Sequence, residues 1–283
     1  MEIIIGKTAG FCFGVSNAVN KTEEQLSNKS NVFCLGELVH NKQVTKELES
    51  KGLIVIDNIE KAKQNVIIRA HGEPKETYIK AEKLELNILD LTCPKVLKIH
   101  KIAKEYANNG FYIILIGQKD HPETIGTISY CGGNSEVIQE EKDIQNALNN
   151  FYSSNLNKLL VIAQTTFSLE KFNNISLLIK EKINTEIIEL EIKRTICDAT
   201  RLRQEETKEL AKNVDVMIIV GGKHSSNTNK LYQISKQYCK NSILIETKED
   251  LNVKDVKKFQ KIGIMAGAST PKKSIEAVVE MLS

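Results

Sequence analysis

Short apolar runs rich in β-branched residues recur along the chain, at EIIIG, NVFCLG, NVIIRA, FYIILIG, LLVIAQ, DVMIIVG and KIGIMAG, with polar amphipathic stretches between them. The alternation predicts βα units from end to end, an α/β fold. Runs that are apolar throughout belong to strands covered on both faces, so the sheets are predicted to be parallel with helices on either side. Ligands of such sheets gather at the loops beyond the carboxyl ends of the strands.

Three helical stretches open just after a cysteine: GFCFGVSNAV at Cys12, LTCPKVLKIH at Cys93 and TICDATRLRQ at Cys197. Pro94 suits the first turn of a helix, which sets Cys93 at a helix N-terminus, where unpaired amides favour a thiolate. From Cys12 to Gly36, from Cys93 to Gly117 and from Cys197 to Gly221 the distance is 24 positions each time, and each glycine closes a strand-like run. His40, His121 and Ser225 stand four positions beyond these glycines. A third strand end follows in each copy, with His71, Thr165 and Ser269 as counterparts. Gly117 to Thr165 and Gly221 to Ser269 both span 48 positions, against 35 from Gly36 to His71.

Self-similarity of this kind marks a repeated supersecondary unit. The first two copies end in a strand leading to the next cysteine, whereas the third stops after the helical PKKSIEAVVEML. The N-terminal EIIIG is therefore predicted to supply the missing strand. Three similar lobes are expected, 13–93, 94–197 and 198–283, the last completed by 1–12. They would form a pseudo-threefold ring whose polar loops and three cysteines face one centre.

The 283 residues are 41% hydrophobic, ample for buried cores. Lys plus Arg number 39 against 36 Asp plus Glu, a net charge of +3, and the basic residues are scattered, so no nucleic-acid partner is expected. No apolar segment approaches the roughly 20 residues that span a bilayer. MEIIIGKTAG has neither a basic start nor a signal-length apolar core, so a cytoplasmic location without a membrane partner is expected. Six cysteines in that compartment are free or metal-bound rather than paired. No CxxC occurs, so any metal site draws its ligands from distant segments.

Three repeated thiols without a fourth counterpart suit a cubane iron–sulfur cluster with one iron free of protein ligands. Such an iron offers a Lewis acid beside a one-electron carrier. Two other readings of Cys12, Cys93 and Cys197 stay open on the residues alone: a structural zinc closed by a histidine, and small core thiols. Cys34, Cys131 and Cys239 fall outside the repeat and read as structural. His40, His71, His121, Ser225, Ser226 and Asn227 offer neutral groups that hold phosphate without a P-loop. GGKHSSN is not a Walker motif and no GxGxxG follows a strand, so no nucleotide cofactor is indicated. His100 and His224 lack counterparts. Glu123, two residues beyond His121, is the carboxyl placed to act as a general acid, and Thr165 or Thr166 to relay its proton.

Together, GFCFGV, ELVHN, RAHG, LDLTCP, DHPE, QTT, TICDATRLRQ, SSN and GAST resemble the 4-hydroxy-3-methylbut-2-enyl diphosphate reductase family, which closes the methylerythritol phosphate route to isoprenoids. The resemblance implies a trefoil-like set of three α/β domains and a four-iron, four-sulfur (4Fe-4S) cluster on Cys12, Cys93 and Cys197. It implies an allylic diphosphate substrate, its alkoxide on the open iron and its diphosphate held by His40, His71, Ser225, Ser226, Asn227 and Ser269. His121 would lie in the same pocket, Thr165 beside the substrate hydroxyl, and Glu123 would supply a proton. Two-electron reductive dehydroxylation would then give isopentenyl and dimethylallyl diphosphates, with ferredoxin or flavodoxin as electron donor. A non-redox lyase and a zinc-bearing phosphate sensor are the competing functions.

Overall fold

The structure, a computed structural model, describes residues 1–28 and 31–283. The chain opens with β1 (Glu2–Ile5) and α1 (Phe13–Asn28). There follow β2 (Val32–Leu35), α2 (Lys42–Ser50), β3 (Leu53–Ile56), β4 (Asn65–Ile68), α3 (Lys75–Lys83) and β5 (Asn87–Asp90). The middle of the chain forms α4 (Pro94–Asn108), β6 (Tyr112–Ile116), α5 (Pro122–Ile128), β7 (Ser135–Ile138), α6 (Ile144–Ser153), β8 (Lys158–Ala163), α7 (Leu169–Lys182) and β9 (Glu189–Ile192). Last come α8 (Asp198–Ala211), β10 (Val216–Val220), α9 (Ser226–Tyr238), β11 (Ser242–Ile245), α10 (Val253–Val256), β12 (Lys261–Ala266) and α11 (Lys272–Leu282).

The strands make three four-stranded sheets, β3-β2-β4-β5, β7-β6-β8-β9 and β11-β10-β12-β1, parallel throughout. The order is the same each time, and β1 takes in the third sheet the place that β5 and β9 take in the others. These three edge strands also share one exposure pattern, with half-buried centres and exposed ends. The fold class is α/β, as the uninterrupted apolar runs predict. β5 and β9 are the strands expected before Cys93 and Cys197, polar in places because an edge strand needs less apolar surface than a central one, while β3 (LIVI), β7 (SEVI) and β11 (SILI) were not among those runs.

The chain packs as two compact units. One comprises Met1–Asn28, Glu37–Gly52 and Asp198–Ser283 and contains the sheet with β1; the other comprises Lys29–Gly36 and Leu53–Cys197 and contains the other two sheets. Helices α1 and α2, close in sequence to β2, thus belong with β10, β12 and β1.

Burial follows the strand period of two. In β6 and β8, Ile114, Ile116, Leu159 and Val161 pack with Leu148 and Phe151 of α6 and Ile175 and Ile179 of α7. Their neighbours Ile113, Leu115, Leu160 and Ile162 pack on the other face with Ile99 and Ala103 of α4. In the third sheet, Ile218, Val220, Ile262 and Ile264 meet Val278 and Leu282 of α11, while Met217, Ile219 and Met265 meet Ala211 of α8 and Leu231 of α9. Truncating any of these central isoleucines to alanine removes buried surface on a closed face and costs about 2–5 kcal/mol. No described helix is long and apolar enough to cross a membrane.

Candidate functional site

Cys12, Cys93 and Cys197 each stand immediately before a helix, α1, α4 and α8, and each is half-buried and outside any disulfide. Cys93 is the N-cap of α4, with Pro94 in the first turn. The three backbone N–H groups share one tether. Cys12 donates to the carbonyl of Ala268 at 3.1 Å, Cys93 to that of Ala70 at 3.0 Å and Cys197 to that of Thr165 at 3.0 Å. Cys34, Cys131 and Cys239 are instead 0, 1 and 5% exposed. Burial pushes the Cys34 thiol up to about 12, and the Cys131 thiol likewise to about 12. Thiols so protonated are poor ligands and nucleophiles.

The strand register corrects one counterpart. The last paired residues of β4, β8 and β12 along the central strands are Ile68, Ala163 and Ala266. Two residues further on lie Ala70, Thr165 and Ala268, the three carbonyls that receive the cysteine N–H groups. Thr165 is therefore level with Ala70 and Ala268, and Thr166 is the positional counterpart of His71 and Ser269. The equal 48-residue spacing misplaces it because the third copy inserts one fewer residue between its glycine and the end of the paired strand.

In the unit that holds the first two sheets, His121 caps α5, its Nδ1 accepting the Glu123 N–H at 3.1 Å. An accepting Nδ1 carries no proton, so the ring is neutral with its hydrogen on Nε2. The His71 and His121 rings meet edge to face with centroids 5.5 Å apart. Glu123 is 2% exposed. Thr165 donates its N–H to Oε1 and its hydroxyl to Oε2, both at 2.6 Å. Burial raises the Glu123 carboxyl to about 7, and the two Thr165 hydrogen bonds hold it from rising further. A carboxyl balanced there both keeps and releases a proton near neutral pH. Gln164 completes this loop, with Oε1 accepting from the Gln118 N–H at 3.0 Å and Nε2 donating to the Thr166 hydroxyl at 2.9 Å.

In the other unit, the Ser269 hydroxyl donates to the His40 carbonyl at 3.2 Å. Next to His40, Asn41 caps α2 by accepting the N–H groups of Gln43 and Val44. Ser225 caps α9, its hydroxyl accepting the Thr228 N–H at 3.3 Å, so Ser226 and Asn227 form the first turn with its amides. Asn227 is 4% exposed, yet neither atom of its side-chain amide has a hydrogen-bond partner among the described residues. A buried amide in that condition is costly unless a ligand completes it. His224 is exposed. His100, in the unit that holds the first two sheets, is buried on α4 and stacks on Tyr130, with ring centroids 4.4 Å apart.

Sequence reasoning passed over Glu206. Its carboxylate receives the N–H groups of Lys7 and Thr8 and the Thr8 hydroxyl. Burial pulls its pKa up, but those three donors outweigh it and hold the group below the ordinary carboxylate range. Its helix has a polar buried face, where Thr200, Arg203, Gln204 and Thr207 occupy positions that a plain amphipathic helix gives to apolar side chains.

The donor set fits an iron–sulfur group. Cys12, Cys93 and Cys197 are half-buried thiols at helix starts, and soft sulfur ligands are what such clusters require.

The model of the LytB protein family matches residues 3–283. A 4-hydroxy-3-methylbut-2-enyl diphosphate reductase of Clostridioides difficile (strain 630) is 41% identical over 285 residues, covering 100% of this chain and 99% of its own. A solved (E)-4-hydroxy-3-methyl-but-2-enyl diphosphate reductase, described as the terminal enzyme of the non-mevalonate pathway, matches with a TM-score of 0.71 at 39% identity, over 100% of this chain and 99% of its own. The E-1-hydroxy-2-methyl-but-2-enyl-4-diphosphate reductase of Plasmodium falciparum matches with a TM-score of 0.90 at 31% identity, over 99% of this chain and 87% of its own. Matched by that family model over residues 3–283, the chain belongs to the LytB protein family.

Proposed function

We propose that this chain reduces (E)-4-hydroxy-3-methylbut-2-enyl diphosphate, the reaction for which its relatives are named, to isopentenyl and dimethylallyl diphosphates. Cys12, Cys93 and Cys197 would hold a four-iron, four-sulfur cluster, with one iron left without a protein ligand. When bound, such a cluster supplies single electrons and a Lewis-acidic corner. The reaction breaks the allylic C–O bond, takes up two electrons and two protons, and releases water. A ferredoxin or flavodoxin would deliver the electrons one at a time, in a cytoplasmic setting that keeps the thiols reduced.

Glu123 carries the reading. A carboxyl raised to about 7 by burial and fixed by Thr165 on both oxygens is a proton donor for a leaving hydroxyl. The Thr165 hydroxyl passes that proton or holds the substrate oxygen. Asn227, with an uncompleted buried amide, and Ser225 and Ser226 at the start of α9 bind diphosphate oxygens. Ser269 and His40, joined by their hydrogen bond, bind the same group, with His71 and the Nε2–H of His121 as further donors.

The test is anaerobic purification followed by iron, sulfide and zinc analysis, then turnover with and without a one-electron reductant. Equal iron and sulfide with reductant-dependent turnover is expected. Stoichiometric zinc without iron, or equal turnover without reductant, overturns the reading.

A further inference from the structure

We propose that Glu206 and Arg203 are positioning residues for Cys12, holding the loop between β1 and α1 so that the thiol is set for a metal centre; this rests on the reading of Cys12 as a cluster ligand. The three cysteine loops differ in reach. Cys93 lies three residues beyond β5 and Cys197 five beyond β9, but Cys12 lies seven beyond β1. The shorter loops are stapled from within or by the adjacent strand. Asp90 accepts the Thr92 N–H at 2.9 Å and its hydroxyl at 2.5 Å. The Thr195 hydroxyl donates to the Ala163 carbonyl at 2.5 Å and accepts the Ala163 N–H at 2.7 Å.

For the long loop, α8 supplies the staple. Glu206 takes the Lys7 N–H at 2.6 Å, the Thr8 N–H at 2.8 Å and the Thr8 hydroxyl at 2.5 Å. One turn earlier, Arg203, 4% exposed, donates from Nη2 to the Gly10 carbonyl at 2.8 Å and from Nη1 to Ala199 at 3.1 Å. The two side chains therefore hold backbone at both ends of the segment from Lys7 to Gly10. Glycines bracket that segment. A Cβ on Gly6 would fall 1.9 Å from the Met265 sulfur, and Gly10 turns the chain at φ +103°. Groups that fix a ligand from outside the coordination sphere typically change metal affinity by about 10–100-fold.

The test uses anaerobically purified wild type, Glu206→Gln and Thr8→Val. Glu206→Gln keeps one acceptor oxygen and sets an NH2 group against the donor or donors that the other oxygen served, while Thr8→Val removes one donor and leaves both backbone contacts. Cluster absorbance is followed on exposure to air, and each cysteine of the iron-free protein is followed by mass spectrometry during iodoacetamide labelling. Glu206→Gln is expected to shorten cluster lifetime by about tenfold. It should speed labelling of Cys12 alone, with Thr8→Val moving both readouts less in the same direction. Unchanged lifetime and Cys12 labelling in Thr8→Val, or equally faster labelling of all three thiols, overturns the proposal, even if Glu206→Gln fails to fold. Cys12→Ser with wild-type iron and spectrum would instead remove Cys12 as a ligand, a result independent of the Glu206→Gln labelling rates.

Discussion

Thr165 holds both oxygens of Glu123, by its N–H on Oε1 and its hydroxyl on Oε2. An amide N–H only donates, whereas a hydroxyl also accepts. When Glu123 is protonated, its hydrogen therefore belongs on Oε2, pointing at the Thr165 hydroxyl, which reverses its role. That proton is thus shared with the residue whose carbonyl accepts the Cys197 N–H.

Glu123→Gln keeps this geometry, since an amide places its oxygen toward the Thr165 N–H and its NH2 toward the hydroxyl. Iron content should stay at the wild-type level while turnover falls by about 10²–10⁴-fold. Iron analysis beside reductant-driven turnover checks this.

The same carboxyl makes stability depend on pH. Its folded pKa is raised from 4.5 to about 7, so the folded state binds the proton more tightly than the unfolded chain. The resulting stabilisation is full below about pH 4.5, falls as pH climbs through about 7 and is gone above it, a loss of about 3 kcal/mol. Urea unfolding of wild type and Glu123→Gln from pH 4.5 to 8 should show the wild type losing ground to the variant by about that amount.

Removing only the hydroxyl, in Thr165→Val, takes away a bond that lowers the Glu123 pKa. A hydrogen bond to a charged group is worth about 1.5–3 kcal/mol, so the alkaline limb of the pH–rate profile should move up by about one to two units, with reduced turnover. Thr165→Ser should restore both. A profile that stays in place would separate Thr165 from the proton.

Asn227→Leu trades an uncompleted amide for an apolar side chain of similar size. Burying an unpaired polar group costs about 1–3 kcal/mol, so the variant should melt at the wild-type temperature or above it. Its KM for the diphosphate should rise by about tenfold or more, as expected when one hydrogen bond to a charged group is lost. Calorimetry and steady-state kinetics read the two effects separately.

Alkylation of iron-free protein at pH 7 should modify Cys12, Cys93 and Cys197 and spare Cys34 and Cys131, whose thiols burial holds near 12. Cys34→Ala and Cys131→Ala should keep their iron. Peptide mass spectrometry and iron analysis check both.

The central strands and the cysteine-led helices were legible because a strand buried on both faces must be apolar without interruption, as in YIILI of β6, and because Pro94 marks a helix start. The edge strands NILD and ELEI were legible only from the repeat, as the strands that lead each copy to the next cysteine, since their half-exposed residues carry no such constraint. Spacing alone set Thr165 beside His71 and Ser269, and only strand register shows that Thr166 belongs there. Glu206 was hidden for another reason: a glutamate that serves a loop 198 residues away has no local signature.

Glu2 of β1 is level with Lys261 of β12. A ribosome thus releases the segment bearing Cys12 long before the strand that β1 must join, and closing so long a chain is entropically slow to be rewarded. A chain cut short before β12 leaves β1 without the strand it pairs with, and the third sheet unfinished beside Cys12.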